Sequence, residues 1–327
     1  MERPVVGAEG RRLDLLAEKL EDLHKQGIRT AFVTATFGTT DASGIDDVAA
    51  IRRILDDFAA RRGVPTPQLH VDAAVGWVLT FLSEYKTSTN ELGFSDKLLP
   101  LVERAQTLAA GLRSADSITI DFHKMGWGHY PGSAFLVNRR SDLRFLSRTV
   151  DDTPYFCEAD ARRDPALFTL ECSRPALGPY TVMASLNGIG LTGWQLLVAR
   201  ALSLADDLKQ RLESLDYVKV LNLDVVGPSV VWWVLPKGRN AHDIYQRVLD
   251  GQMPADKFDR YSAEIRRLFE KREKAMDPAL DPRLSFTTNA GHSAHGLALP
   301  AWKAVFFNPM TNDAVLDRLV YSIEELL

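Results

Sequence analysis

Cysteine is nearly absent: Cys157 and Cys172 are the only two in 327 residues. A disulfide framework and a cysteine zinc site are excluded, and two reduced thiols are the simple reading. A surplus of either charge is lacking too, since 39 Lys and Arg face 43 Asp and Glu for a net charge of −4. The chain therefore has no global footprint for nucleic acid or an anionic membrane, and any basic patch would be local. No apolar run approaches the roughly 20 residues that span a bilayer, and Met1 to Leu16 carries Glu, Arg and Asp where a secretory leader needs apolar residues. A cytoplasmic location is expected. Internal repeats and low-complexity segments are missing. What remains, 46% hydrophobic and 25% charged residues, is enough to build a sizeable globular core.

Leu13, Leu16, Leu20 and Leu23 recur at helical spacing, and Gly27 is a plausible stop. The run Thr30 to Thr36 is β-branched and mostly apolar, as a buried parallel strand should be, and Gly38 breaks it. A second amphipathic helix follows on Val48, Ile51, Leu55 and Phe58, with Asp46 as its candidate cap. Then come a strand from Gln68 to Ala73, a helix around Leu98 to Leu112, a strand Ser117 to Asp121, a Gly/Pro-rich turn from Gly126 to Gly132, and a strand Ala134 to Asn138. Strands alternating with helices predict a largely parallel α/β sheet. Beyond Pro175 the texture changes to a long apolar helix from about Val182 to Leu215, short strands Val218 to Leu221 and Val230 to Leu235, and helices His242–Leu249, Ala255–Ala275 and Asp313–Leu326. Two domains are expected, a large-domain portion over residues 1–180 and a linking helix with a small α+β domain over 181–327.

Four short stretches lie just past the carboxyl ends of predicted strands, where open α/β sheets place their ligands. They are Gly38-Thr39-Thr40, His70 to Ala74, Asp121 to Lys124 and Cys172 to Arg174. Singly each has a plain structural reading, because an aspartate ending a strand is usually a turn or cap residue and an isolated lysine is usually a solvated charge. Jointly they fit pyridoxal-phosphate chemistry. A lysine amine forms a Schiff base with the cofactor's aldehyde, while a carboxylate keeps the pyridine nitrogen protonated so that the ring accepts carbanion electrons. Asp72 and Lys124 are complementary in this sense. His123 would face the phosphate and the Thr39 and Thr40 hydroxyls would bond the cofactor, with local turn bonding as the alternative for all three.

At these residues the sequence resembles the group II pyridoxal-phosphate-dependent amino-acid decarboxylases of the aspartate-aminotransferase fold. The resemblance rests on TATFGTTDASGIDDV, LHVDAAVGW and SITIDFHKMGWGHYPGSAFLVNRRSDL, in the family's order, and is clear over about residues 28–200. HKMG followed by Pro-Gly-Ser is most similar to the archaeal-type tyrosine/aspartate decarboxylases, and FTLECSRPA occupies the place of their next arginine-bearing segment. The resemblance implies fold type I, a large-domain remainder with a mostly parallel sheet plus a smaller α+β domain. It further implies that Lys124 is the Schiff-base lysine, Asp72 the pyridine-nitrogen partner, His123 a phosphate contact and Thr40 a contact near the ring oxygen. Thr39 and Ala74 join them as cofactor-lining residues. Tyr155, in DDTPYFCE, falls where many members have a mobile-loop tyrosine that protonates the carbon left by carbon dioxide. A packed loop tyrosine is the alternative.

The chain departs from the family in beginning late. The ring-stacking histidine and small-residue phosphate loop of that fold come from upstream of the TATFGTT strand, and neither Gly7 and Gly10 nor His24 suits those tasks. The expectation is the lysine-bearing subunit of a split decarboxylase, completed by a second polypeptide that supplies the N-terminal half of the large domain, in an (αβ)₂ assembly. A homodimer of a shortened enzyme is the alternative arrangement. Two other functions stay open: a phosphosphingolipid-type carbon–carbon lyase, although the Gly128-His129-Tyr130-Pro131-Gly132 turn lacks the lysine expected there, and a non-catalytic partner subunit. Against the last, an unpaired buried charge is costly to keep without a task. His292 and His295 form an HxxH in a Gly/Ser/Ala loop without a third ligand, so no metal is expected. Trp232 and Trp233 lie in an apolar strand, as core or as interface.

Overall fold

The computed structural model describes residues 13–130, 132–148, 175–293 and 296–327. The leucine repeat forms α1 (Leu13–Lys25), which ends at Gly27 with φ 72°. Next come β1 (Phe32–Thr36), α2 (Val48–Arg62) and β2 (Gln68–Asp72). The cap of α2 is Asp47, whose side chain accepts the Ala50 N–H at 2.8 Å; Gly63, left-handed at φ 63°, closes the other end. Asp46, the expected cap, instead accepts the Thr36 N–H at 2.8 Å and so ties the helix entry to the end of β1. Burial raises its carboxyl above the usual range, against the lowering effect of that bond.

A 3-10 turn over Gly76–Leu82 leads to α3 (Leu99–Ala110), β3 (Ser117–Asp121) and β4 (Ser133–Val137). The sheet order is β1-β2-β3-β4, with the first three strands parallel and β4 antiparallel at the edge. One face packs Ala35, Leu69 and Val71 into the core with α2 and α3. The other face carries Thr34, His70 and Ser117 in one row and Thr36, Asp72 and Thr119 in the next. It is open, with Phe32 65% and Phe135 53% exposed.

The helix α4 (Leu177–Glu213) is interrupted at Gly190, whose φ of 68° and ψ of 167° are not helical. The expected domain boundary at residue 180 falls in its first turn. Beyond Gly190 it is a core helix, burying Trp194, Val198, Leu202, Leu208 and Leu212; before it, Tyr180 and Met183 are exposed. By length and composition α4 could cross a membrane, contrary to the reading of apolar runs from the sequence. Core helices share this length and composition, and the second half of α4 packs as one.

A second, antiparallel sheet follows, made of β5 (Val218–Val220), β6 (Ser229–Val234), β7 (Ser285–His292) and β8 (Ala298–Val305) in the order β5-β6-β8-β7. Helices α5 (Ala241–Leu249), α6 (Ala255–Ala275) and α7 (Asp313–Leu326) complete the chain. All six β6 residues are buried, so Trp232 and Trp233 are core residues. The β7–β8 hairpin was not expected. His292 ends β7 opposite Ala298, in a strand irregular between Thr287 and Gly291, which blurs the period-2 pattern. His295 lies outside the described residues.

Candidate active site

Three loops meet at the carboxyl ends of β1, β2 and β3, because the parallel strands all point there. The first two pack with almost no space between their backbones. Gly38 (φ 98°) and Gly76 meet so closely that a Cβ on Gly76 would sit 2.2 Å from the Phe37 carbonyl oxygen, which instead accepts the Gly76 N–H at 3.0 Å. Only glycine permits that approach.

Asp72 ends β2 on the open face, beside Thr36 on one side and Thr119 on the other. Its Oδ1 accepts the Ala74 N–H at 3.0 Å, which orients the carboxylate. Two residues earlier on the same face, His70 is held between hydroxyls, Nδ1 at 2.8 Å from Ser117 Oγ and Nε2 at 3.2 Å from Thr119 Oγ1. Asp72 is exposed in this chain. The cost of an unpaired buried charge therefore does not by itself argue against a non-catalytic role.

Lys124 follows β3 in a tight turn closed by its N–H to the Asp121 carbonyl at 3.0 Å. Its partner is Asp121 and not Asp72: Nζ lies 2.8 Å from Asp121 Oδ2, with the amine side chain 36% exposed. Ser133 donates to Asp121 Oδ1 at 2.6 Å, and His123 Nε2 lies 3.7 Å from Oδ2. Burial pushes the Asp121 carboxyl up, but hydrogen bonds from Lys124 and Ser133 and the charges of Lys124 and His123 outweigh it and hold the group below the usual carboxylate range. Register puts Asp121 on the same face as Asp72, since Thr119 pairs with Asp72 and side chains two apart share a face.

His123 stacks on Tyr130, with ring centroids 4.3 Å apart, and its buried Nδ1 has no hydrogen-bond partner. An unsatisfied buried ring nitrogen beside an amine is suited to an anionic group such as a phosphate. After Lys124 the backbone takes a costly path: Met125 (φ 58°) and Trp127 (φ 48°) are left-handed, worth about 1–3 kcal/mol each. Ser185 of α4 donates to the Gly126 carbonyl at 2.9 Å, and Trp127 Nε1 donates to the Phe307 carbonyl at 3.1 Å.

The loop after β1 is held by bonds of its own. Thr39 Oγ1 accepts the Gly44 N–H at 2.8 Å, the local turn bonding that was the alternative reading. The Thr40 carbonyl accepts Lys303 Nζ at 2.8 Å, and Lys303 also pairs with Asp41 at 2.8 Å. This loop is thus fastened to β8, and Thr287 of β7 adds a bond to Asp41 at 2.9 Å. His24 packs edge-on against Phe58 at 5.9 Å, in the helix layer away from the loops. Tyr155, Cys157, Cys172 and Arg174 lie outside the described residues.

Lys124, Asp72, His123, Thr39, Thr40 and Ala74 therefore lie in or beside the loops at the carboxyl ends of β1, β2 and β3. Asp121, Ser133 and Trp77 are the members that sequence reading missed. Asp121 stands in the same DFHK string, and its three-residue spacing to Lys124 was the available signal.

A match to the pyridoxal-dependent decarboxylase conserved domain covers residues 5–235. The chain belongs to this family. Among curated relatives it is 28% identical over 177 residues to the L-aspartate/L-glutamate decarboxylase of Pyrococcus horikoshii, covering 54% of this chain and 38% of that enzyme. It is 26% identical over 193 residues to the probable L-tyrosine/L-aspartate decarboxylase of Methanothermobacter thermautotrophicus, covering 59% and 44%. The chain thus spans less than half the length of these relatives. Among solved structures it resembles mouse CSAD in its apo form, with TM-score 0.67 and 19% identity over 99% of this chain and 58% of that one. Oryza sativa TDC with PLP and tryptamine matches at TM-score 0.64 and 17% identity, over 96% and 54%. The fold is that of the fold-type-I decarboxylases, a mixed sheet with helices, and pyridoxal phosphate is the family's cofactor. The loop cluster fits this group: it offers an amine, a carboxylate on the same face, and a buried ring nitrogen without a partner.

Proposed function

We propose that the chain acts in the pyridoxal-phosphate-dependent decarboxylation of an α-amino acid to an amine. The observation that carries this reading is Asp72 at the end of β2 with Lys124, paired with Asp121, in the turn directly after the neighbouring parallel strand β3. When bound, the cofactor supplies an electron-accepting ring for the carbanion left as carbon dioxide departs. Lys124 Nζ would hold the cofactor's aldehyde, Asp72 would keep the proton on the pyridine nitrogen, and His123 would meet the phosphate. Ala74, Thr39 and Thr40 would line the cofactor. Asp121 keeps Lys124 Nζ aimed at the face on which Asp72 lies. Tyr155 is proposed as the donor that returns a proton to the product carbon.

The same reading assigns this chain the lysine-bearing half of the site. Among the described residues, helices back only one face of the sheet that carries exposed Phe32 and Phe135, and a parallel sheet is normally covered on both. A second polypeptide carrying the N-terminal part of the large domain would cover it in an (αβ)₂ assembly within the cytoplasm. Carbon dioxide release from a panel of amino acids tests this directly, with the chain alone and with a candidate upstream half. Release only with both halves is expected. A fully active homo-oligomer of this chain would overturn the split arrangement, and no release from any amino acid in either form would overturn the decarboxylase.

A further inference from the structure

A single indole joins the two loops on which the proposed chemistry depends. Trp77 lies in the 3-10 turn after β2, and its backbone N–H donates to the Ala73 carbonyl at 3.1 Å, next to Asp72. Its side chain reaches the other loop, where Nε1 lies 3.2 Å from the Asp121 carbonyl and 3.1 Å from the Lys124 carbonyl. One N–H shared between these oxygens fixes the first and last residues of the turn that presents the amine.

The ring is buried and has no room to swing away. Phe122 meets it at 5.0 Å between centroids, Phe81 at 5.5 Å and Trp194 at 6.2 Å. Gly126 closes the last side, since a Cβ there would lie 2.9 Å from Trp77 Cζ2 and 2.3 Å from the Phe122 carbonyl oxygen. A lysine side chain has four rotatable bonds, so its amine is aimed only if its backbone is fixed. The left-handed residues Met125 and Trp127 come directly afterwards, in a conformation that the backbone keeps only while its surroundings enforce it.

We propose that Trp77 is a positioning residue for Lys124, fixing the amine relative to Asp72 by bonding the Asp121 and Lys124 carbonyls from the Asp72 loop. The proposal rests on the function proposed above, because it takes Lys124 as the cofactor-bearing amine. A packing role alone would need the shape of the ring and not its N–H.

Two variants separate these roles in the full chain. Trp77→Phe keeps an aromatic ring without the donor, and the benzothiophene analogue of tryptophan at position 77 keeps the bicyclic shape without it. The first readout is the acylation of Lys124 by acetic anhydride against pH in cofactor-free protein, followed by mass spectrometry. The second is the rate of cofactor release after loading with pyridoxal phosphate. With the fold intact by circular dichroism, the acylation midpoint should move by about half a pH unit or more. Release should quicken about tenfold, as expected for one lost hydrogen bond. Wild-type midpoints and release rates in both variants would overturn the proposal while leaving the function standing. If Trp77→Phe does not fold, the analogue decides. Cofactor loaded on a lysine other than Lys124 in the wild type would overturn both.

Discussion

The two sheets of this chain differ in how they are finished. The second is closed: Trp232, Trp233 and Trp302 are fully buried, and β6 shows no residue to solvent. The first is closed on one face and open on the other, where Thr36, Asp72, Thr119 and Asp121 form a polar line at the strand ends. The difference separates two tasks. Burial of large apolar side chains in the second sheet holds the chain together, whereas the first sheet keeps hydrogen-bonding groups available at the cost of exposed Phe32 and Phe135.

Substitution should break this contrast most visibly in the core. Trp232→Ala should lower stability by about 3–5 kcal/mol, while Phe135→Ser on the open face of the isolated chain should stay within about 0.5 kcal/mol. Denaturant unfolding of both variants measures the gap, and equal losses would show that the open face is packed after all. On the open face the effect should fall on turnover. Asp72→Asn keeps the shape without the charge and should lower kcat by roughly 10²–10³ while cofactor still binds. Near-native turnover would mean that the ring nitrogen is held by another group.

A pH effect should mark the closed half. Lys209 is buried and donates to the Val225 carbonyl at 2.5 Å; burial pushes its amine down to about 8 from 10.5. Between these values the unfolded chain binds more protons, so stability rises with pH there. The advantage of a Lys209→Met variant over wild type should therefore narrow by up to about 3 kcal/mol across this window. A constant difference would contradict the burial of a charge. The smallest effect belongs to Asp121, whose carboxyl is held below 3.8. Its contribution is complete above that value and lost as pH falls through the folded-state value, so wild type and Asp121→Asn should converge in thermal stability at the acid end.

Much of the first sheet was legible because its signals are local. The β-branched run ending at Thr36, the string ending at Asp72 and the DFHK string each announce a strand and its terminal loop. The spans of α2, α5, α6 and α7 followed from apolar spacing. What escaped depends on distance. Lys124 pairs with Asp121 because the turn folds back by three residues, and the sequence reading gave Asp121 no part. Thr39 is used by Gly44 and the Thr40 carbonyl by Lys303, more than 260 positions away. The β7–β8 hairpin was hidden by Asn289, Ala290 and Gly291, which dilute the strand pattern where the register shifts. Trp77 ends the string LHVDAAVGW, but its bond to another loop has no mark in the sequence.

Lys124 is the residue expected to carry the cofactor. Borohydride reduction of the protein loaded with pyridoxal phosphate, followed by peptide mapping, tests it most directly. A single stable label on Lys124 is expected; a label on any other lysine, or none, would contradict that role.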